Sequence, residues 1–300
     1  MGSIDLAYTP STRTWRRLPS NNYPVILTEA GSQVVWDGSE LLTFGVQNAA
    51  LNPSTGKWRP LAASPLGAPS IVAWTGSAVL MWGGGCCDDA TNVGASYDPL
   101  RNRWTPMPAS PLSGRHAGGA WTGTELIVVG GWAHGTTFFR DAAAYNPATS
   151  RWRMLPPLPA PRLNASVTWT GTDLLVVGGQ ASFDSIPYAD GWAYRPADNR
   201  WHPLPAMPIR RTEHVAVWTG RYLMVWGGQT RATGTAPYSA PPHGFIYDAA
   251  TRSWLDLPKA PIKARLEALA FWAGDQMLIW GGHAIAYPYL DFFDGATYSP

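Results

Sequence analysis

The sequence predicts an all-β protein built from six copies of one four-stranded unit. A tryptophan closes each unit, and a second tryptophan, followed two residues later by glycine, lies near its start. A third observation is a glycine step that follows a short apolar run in every unit. Because glycine (31 residues) and proline (28 residues) are frequent and no long stretch has a 3.6-residue apolar period, helices are not expected.

The repeat is defined by three recurring positions. The closing tryptophans recur at intervals of roughly 40–50 residues, at Trp15, Trp58, Trp104, Trp152, Trp201 and Trp254. The Trp-x-Gly steps begin at Trp36, Trp74, Trp121, Trp169, Trp218 and Trp272. The glycine steps are Gly45, Gly83-Gly84, Gly130-Gly131, Gly178-Gly179, Gly227-Gly228 and Gly281-Gly282, so only the first copy has a single glycine.

Each unit is interpreted as four antiparallel strands. The first ends at the Trp-x-Gly turn, and the second is the apolar run into the glycine step. The third carries a tyrosine ahead of a turn such as Asp98-Pro99, and the fourth begins at the closing tryptophan. A sheet of this size cannot bury both faces alone, so the units must stack on one another.

The glycine step, the motif Tyr194-Arg195-Pro196 and Trp201 together resemble the kelch repeat, and the resemblance covers nearly the whole chain. It implies a six-bladed kelch-type β-propeller with four antiparallel strands per blade. The expected single domain, 1–300, has blades at about 25–62, 68–108, 115–156, 162–205, 211–258, and 265–300 plus 4–19.

The two ends of the chain predict how the ring closes. Residues 4–19 carry Tyr8 and Trp15, which match the last two strands of a blade, whereas the last unit stops at Tyr298 without a closing tryptophan. The N-terminal strand is therefore expected to complete the last blade. Tyr8 and Tyr298 both match the third strand; we favour Tyr298 there, with Trp15 supplying the fourth.

Composition excludes several classes of function. The net charge of +2 and the lack of a Lys/Arg run argue against nucleic acid, and no apolar stretch is long enough to span a membrane. Met1-Gly2-Ser3 shows no signal region, so the localisation is unknown; a soluble protein is expected, and removal of a signal peptide would leave a secreted or periplasmic origin open. The neighbours Cys86 and Cys87 cannot form a disulfide framework and are expected to be free thiols, with a vicinal disulfide or soft-metal contact as alternatives.

Strand direction places the long, varied loops that follow the glycine steps on one face of the propeller, where binding groups usually lie. Five of the six histidines fall on this face: His116, His134, His214, His243 and His283. Trp132 directly follows Gly131 and is a candidate stacking platform for a flat ligand, or alternatively a loop anchor. Gln180, Gln229 and His283 occupy the equivalent position in later units, near the expected channel mouth.

The first strands are expected to line a central channel with polar groups. Five residues before the Trp-x-Gly tryptophan stand Gly31, Pro69, His116, Asn164, Glu213 and Glu267. Two residues earlier stand Arg162, Arg211 and Arg265, with Arg115 slipped by one. Period-2 alternation places both positions on the same side of the strand. The alternatives are that the arginines brace blades, or that salt bridges plug the channel.

We predict a site for a small polar or anionic, sugar-like ligand, with no cofactor. The expected catalytic residues are Glu213, Glu267 and His116. The expected ligand-binding residues are Arg115, Arg162, Asn164, Arg211, His214, Arg265, Gln180, Gln229, His283 and Trp132. Resemblance to the six-bladed kelch sialic acid mutarotases implies that Glu213 or Glu267 is a general acid/base and that Arg211 or Arg265 clamps a carboxylate.

Two alternatives stay open. A metal-dependent oxidase, similar to the kelch-type copper radical oxidases, would draw on His116, His134, His283 and Cys86, although the chain has no Tyr-His pair. A scaffold for a protein or polymer partner, the commonest use of kelch domains, would use exposed aromatic residues. Those candidates are Phe138, Phe139, Tyr287, Tyr289, Phe292 and Phe293.

Overall fold

The computed structural model describes residues 6–9, 12, 14–17, 33–44, 48–85, 89–231, 236–241, 243–285, 290–292 and 294–300. Every regular element in these ranges is a β-strand. No helix in this part of the chain has the length and apolar content needed to cross a membrane.

The strands form six blade sheets and one separate hairpin. Blade I contains β3 (Gln33–Trp36), β4 (Leu41–Phe44), β5 (Ala49–Asn52) and β6 (Lys57–Pro60). Blade II contains β7 (Ile71–Trp74), β8 (Val79–Trp82), β9 (Gly94–Asp98) and β10 (Arg103–Pro106). Blade III contains β11 (His116–Trp121), β12 (Leu126–Ala133), β14 (Ala142–Asn146) and β15 (Arg151–Leu155), with the short β13 (Thr137–Phe138) beside β12.

The later blades follow the same order. Blade IV contains β16 (Ser166–Trp169), β17 (Leu174–Val177), β18 (Gly191–Arg195) and β19 (Arg200–Leu204). Blade V contains β20 (Thr212–Trp218), β21 (Tyr222–Gln229), β22 (Phe245–Asp248) and β23 (Ser253–Asp256). Blade VI contains β24 (Leu269–Trp272), β25 (Met277–Trp280) and β26 (Gly295–Tyr298). The protein is thus an all-β six-bladed propeller in which one blade has three strands, as the sequence predicts apart from that last blade.

In blades II to V the closing tryptophan joins its blade to the one before it. Its ring lies against the third-strand tyrosine of its own blade, with ring centroids 4.9 Å apart for Tyr97–Trp104 and 5.3 Å for Tyr194–Trp201. Its indole Nε1 donates to a backbone carbonyl of the segment leading out of the preceding blade, as from Trp201 to Pro156 (2.7 Å). One side chain therefore packs within a blade and hydrogen-bonds between blades, which explains its recurrence.

The core is divided among the interfaces between successive blades. Five buried apolar clusters lie between blades I and II, II and III, III and IV, IV and V, and V and VI. The first strands lie side by side in the order β3, β7, β11, β16, β20 and β24. In the described residues no such cluster joins blades VI and I, and Leu269 and Phe271 of β24 are about half exposed.

The sequence predicts that the N-terminal strand completes the last blade, and here the structure differs. The strands β1 (Leu6–Thr9) and β2 (Thr14–Arg17) pair with each other, Tyr8 opposite Trp15, and β26 has β25 as its hydrogen-bonded neighbour. Because β1 and β2 are close in sequence, their pairing has a low entropic cost, whereas moving β2 alone onto β26 would break this local pairing. As predicted, Tyr298 stands in the third strand of blade VI, opposite Met277.

Candidate functional site

The glycine steps position the rim of the loop face. In blades II to V the second glycine of the step donates its N–H to the carbonyl of the arginine that leads into the next blade, as from Gly131 to Arg162 (2.8 Å) and from Gly179 to Arg211 (2.9 Å). A Cβ on Gly131 would lie 2.8 Å from Ala117 Cα and closer still to His116 O. Glycine is needed here because the backbone of the glycine step lies close to the backbone of the first strand of the same blade. This contact fixes the position of the first strand relative to the second.

The residue after each glycine step pairs with the residue just after the arginine. Trp132 pairs with His116, Gln180 with Leu163, Gln229 with Thr212, and His283 with Leu266. Four successive blades therefore present one side chain each at equivalent positions of the same face. Of these four, Gln180 and Gln229 are buried.

Asn164, Glu213 and Glu267 occupy a left-handed backbone conformation, with φ of 53°, 57° and 50°. In blade III the arginine stands one position closer to the Trp-x-Gly tryptophan than in blades IV, V and VI. Each of the three left-handed residues therefore corresponds to one additional residue in its blade. Period-2 alternation assumes extended backbone, which a left-handed residue does not have, so the expectation that these residues share a side of the strand with the arginines stays a prediction. The three residues are instead linked across blades, with Glu213 N donating to Asn164 O (3.0 Å) and Glu267 N to Glu213 O (3.4 Å).

Glu213 is the central acid of this group. Its carboxylate accepts hydrogen bonds from Asn164 Nδ2 (2.9 Å) and Gln229 Nε2 (2.8 Å). Burial raises the pKa of Glu213, the charge of Glu267 raises it further, and the two amides and His283 oppose the shift. Glu267 is more open, with 69% of its side chain exposed, and its Oε2 lies 3.6 Å from His283 Nε2.

An aromatic group borders the acids. His116 and Trp132 are stacked with ring centroids 5.8 Å apart, and Trp132 meets the edge of Phe183 at 5.0 Å. Partial burial lowers the pKa of His116, and Glu267 opposes this. Tyr238 donates its hydroxyl proton to Gln180 Oε1 (3.1 Å) and to Phe183 O (2.9 Å).

The sequence predictions missed Phe183, Tyr238 and Arg231. The Arg231 guanidinium stacks on Tyr238 and donates to Ser185 O, joining the loops of blades IV and V. These residues stand in long loops outside the repeat, so no recurring spacing indicates them.

Three of the four predicted ligand-binding arginines are buried and already paired. Arg115 pairs with Asp141, Arg162 with Asp190 and Arg265 with Asp294. Each guanidinium also has an aromatic ring over it, from Phe139, Tyr188 and Phe292 respectively. This geometry favours the bracing role over ligand binding, and it packs the half-buried rings of Phe139 and Phe292 against guanidinium groups.

Arg211 and His214 lie in blade V and are both buried. Arg211 donates to Gly227 O (3.1 Å) and His243 O (3.2 Å), and burial lowers its pKa to about 10. His214 Nε2 lies 3.0 Å from Ser166 Oγ, and burial lowers the pKa of His214 to about 3, helped by the charge of Arg211. His214 borders a cavity of about 290 Å³ between the first strands of blades IV, V and VI.

The predicted metal ligands are not brought together in the part of the chain that the structure covers. Among the described residues no three His, Cys, Asp or Glu side chains are grouped so that they could hold a metal ion. His134 is exposed, and Cys86 lies outside the described residues, as do Tyr287, Tyr289 and Phe293. Phe138 packs against Phe183, at 5.7 Å between ring centroids.

The family model described as the Attractin/LZTR1 beta-propeller matches residues 70–286, more than two thirds of the chain. The chain belongs to this family. The matched range begins just before β7 and ends a few residues after β25. It therefore includes Asn164, Glu213, Glu267 and His283 of the candidate site. A search of curated proteins found no significant match. The kelch assignment of the Attractin/LZTR1 propeller stays a prediction from its motifs.

Proposed function

We propose that this propeller is a protein-interaction scaffold whose loop face receives a basic side chain of its partner at Glu213 and Glu267. The observation that carries the proposal is a pair of carboxylates that lacks a Lys or Arg partner among the described residues. Neutral amides hold Glu213, and His283 is the one ion-pair partner of Glu267 there. Membership of a β-propeller family supports a scaffold, since such rigid rings commonly present loops to proteins.

Electrostatics favour a cation at this place. Glu213 is half-buried, and its pKa is raised by burial and by Glu267. A lysine or arginine between the two acids would stabilise both ionised carboxylates. Since the cation requires ionised Glu213, binding is expected to strengthen as the pH rises through the raised pKa of that residue.

The test is selection of random peptides on the purified protein. We expect one enriched position to be Lys or Arg, and a Glu213→Gln/Glu267→Gln variant to bind the selected peptide at least tenfold more weakly, a loss of about 1.4 kcal/mol. The affinity for the wild type should rise as the pH is raised above 4.5, the ordinary pKa of a glutamate, and that rise should be reduced in Glu213→Gln.

The matched control is Glu125→Gln, which removes an acid paired with Arg153 in the Trp-x-Gly turn, away from the loop face. It is expected to leave the affinity unchanged. Selected peptides without a basic position, or an equal loss in Glu125→Gln, would reject the proposal.

A second candidate is acid/base isomerisation of a small anionic sugar. It is favoured by the unequal environments of two neighbouring carboxylates, which acid/base catalysts use to separate the roles of proton donor and acceptor. The expected result is faster exchange between the anomers of free sialic acid in NMR spectra, lost in Glu213→Gln. An exchange rate equal to that in buffer rejects this candidate.

A further inference from the structure

Four blades carry the same buried arginine, and among the described residues three of these arginines pair with a carboxylate. Arg115, Arg162, Arg211 and Arg265 each donate to the carbonyl of the first glycine of their own glycine step. In blades III, IV and VI an aspartate completes the arrangement: Asp141, Asp190 and Asp294. In blade V the equivalent position is His243, whose backbone carbonyl keeps the contact to Arg211 while its side chain brings no negative charge.

Nothing else in the described surroundings replaces that charge. Arg211 has no ion pair there, its Nε has no hydrogen-bond acceptor, and its side chain is fully buried. The whole segment from 229 to 247 contains no Asp or Glu. Burial lowers the pKa of Arg211, and no neighbouring charge raises it. An unpaired cation in a protein interior is costly, and the cost falls when an anion reaches it.

We infer that blade V holds a binding site for a carboxylate, in which the ligand takes the place that aspartate occupies in blades III, IV and VI. Those three aspartate side chains are 36%, 43% and 59% exposed, so this position on a blade opens to solvent. The bidentate pair of Arg115 with Asp141, in which Nη1 donates to Oδ1 and Nη2 to Oδ2, is the geometry that the ligand would reproduce on Arg211.

Entry to the site requires the side chain of His243 to move, since Arg211 has no exposed surface. That imidazole is loosely held: 36% of its side chain is exposed, and its Nε2 is 4.0 Å from Asp256 Oδ1, itself 80% exposed. The site shares no side chain with the Glu213 and Glu267 pair, so it does not depend on the proposed function.

The experiment is thermal unfolding and calorimetric titration with sodium acetate against sodium chloride at equal ionic strength. Acetate at ten times its Kd is expected to raise the Tm of the wild type by about 3 °C over chloride. His243→Asp is expected to unfold at a higher temperature without acetate and to lose the acetate effect, because the new carboxylate fills the site. Asp141→His recreates the blade V arrangement at Arg115 and should gain an additional acetate effect.

The comparison of the acetate effect in the wild type and in His243→Asp tests the inference even if Asp141→His fails to fold. An acetate effect of equal size in the wild type and His243→Asp would overturn the inference, as would no acetate effect in either protein. A response of the wild type to inorganic phosphate, but not to acetate, that is lost in His243→Asp would overturn the carboxylate assignment.

Discussion

Replacing Gly131 with alanine is expected to destabilise the protein by about 3–5 kcal/mol, because the new Cβ would overlap with backbone and φ would be strained. Gly131 has φ of +98°, and its Cβ would lie 2.8 Å from Ala117 Cα, with His116 O closer still. These neighbours are backbone atoms of the first strand of the same blade, so no rotamer change relieves the overlap. The measurement is chemical denaturation followed by tryptophan fluorescence.

Gly135 gives the matched control for this substitution. It also has positive φ, +66°, but a Cβ there would meet nothing within 4 Å. Gly135→Ala therefore carries only the conformational cost, about 1 kcal/mol. Similar losses of unfolding free energy in Gly131→Ala and Gly135→Ala would mean that positive φ, and not the close approach of two backbones, is the reason for glycine at position 131.

The blades were predictable because the residues that define them obey local rules. The Trp-x-Gly turn requires a glycine with positive φ, such as Gly171 at +100°, and the closing tryptophan has one role in ring packing and another in hydrogen bonding. The pairing of β1 with β2 was not predicted, because Tyr8 and Tyr298 fit the same pattern and sequence alone does not rank local against long-range pairing.

The sequence named Asn164, Glu213 and Glu267 as candidate site residues, but it did not predict their left-handed backbone conformation. The spacing from the arginine to the Trp-x-Gly tryptophan is one residue longer in blade IV than in blade III, and this is the sequence signal of the left-handed Asn164. Period-2 alternation assumes extended backbone and does not use that signal. The pairing of Arg162 with Asp190 was not visible, because the aspartate stands at the end of a loop of variable length.

His214 is expected to make the protein sensitive to acid between pH 6.5 and 3. Its pKa is lowered from 6.5 to about 3, mainly by burial. The folded protein therefore binds fewer protons than the unfolded chain, and the stability contributed by neutral His214 is complete above pH 6.5 and lost as the pH falls. At pH 4.5 the loss amounts to roughly 2–3 kcal/mol, from 1.36 kcal/mol per pH unit.

The variant His214→Gln isolates this effect, since glutamine keeps a polar group near Ser166 Oγ and does not titrate. The free energy of unfolding of the wild type should fall relative to this variant as the pH is lowered from 7 to 4.5. His202 gives the matched control, because it is a partly exposed histidine whose Nε2 lies 2.8 Å from Asp198 Oδ2. The variant His202→Gln keeps the buried His214, so it should lose stability on acidification as the wild type does. Parallel pH profiles for the wild type and His214→Gln would show that the imidazole is hydrated or paired in solution, which would remove the reason for its low pKa.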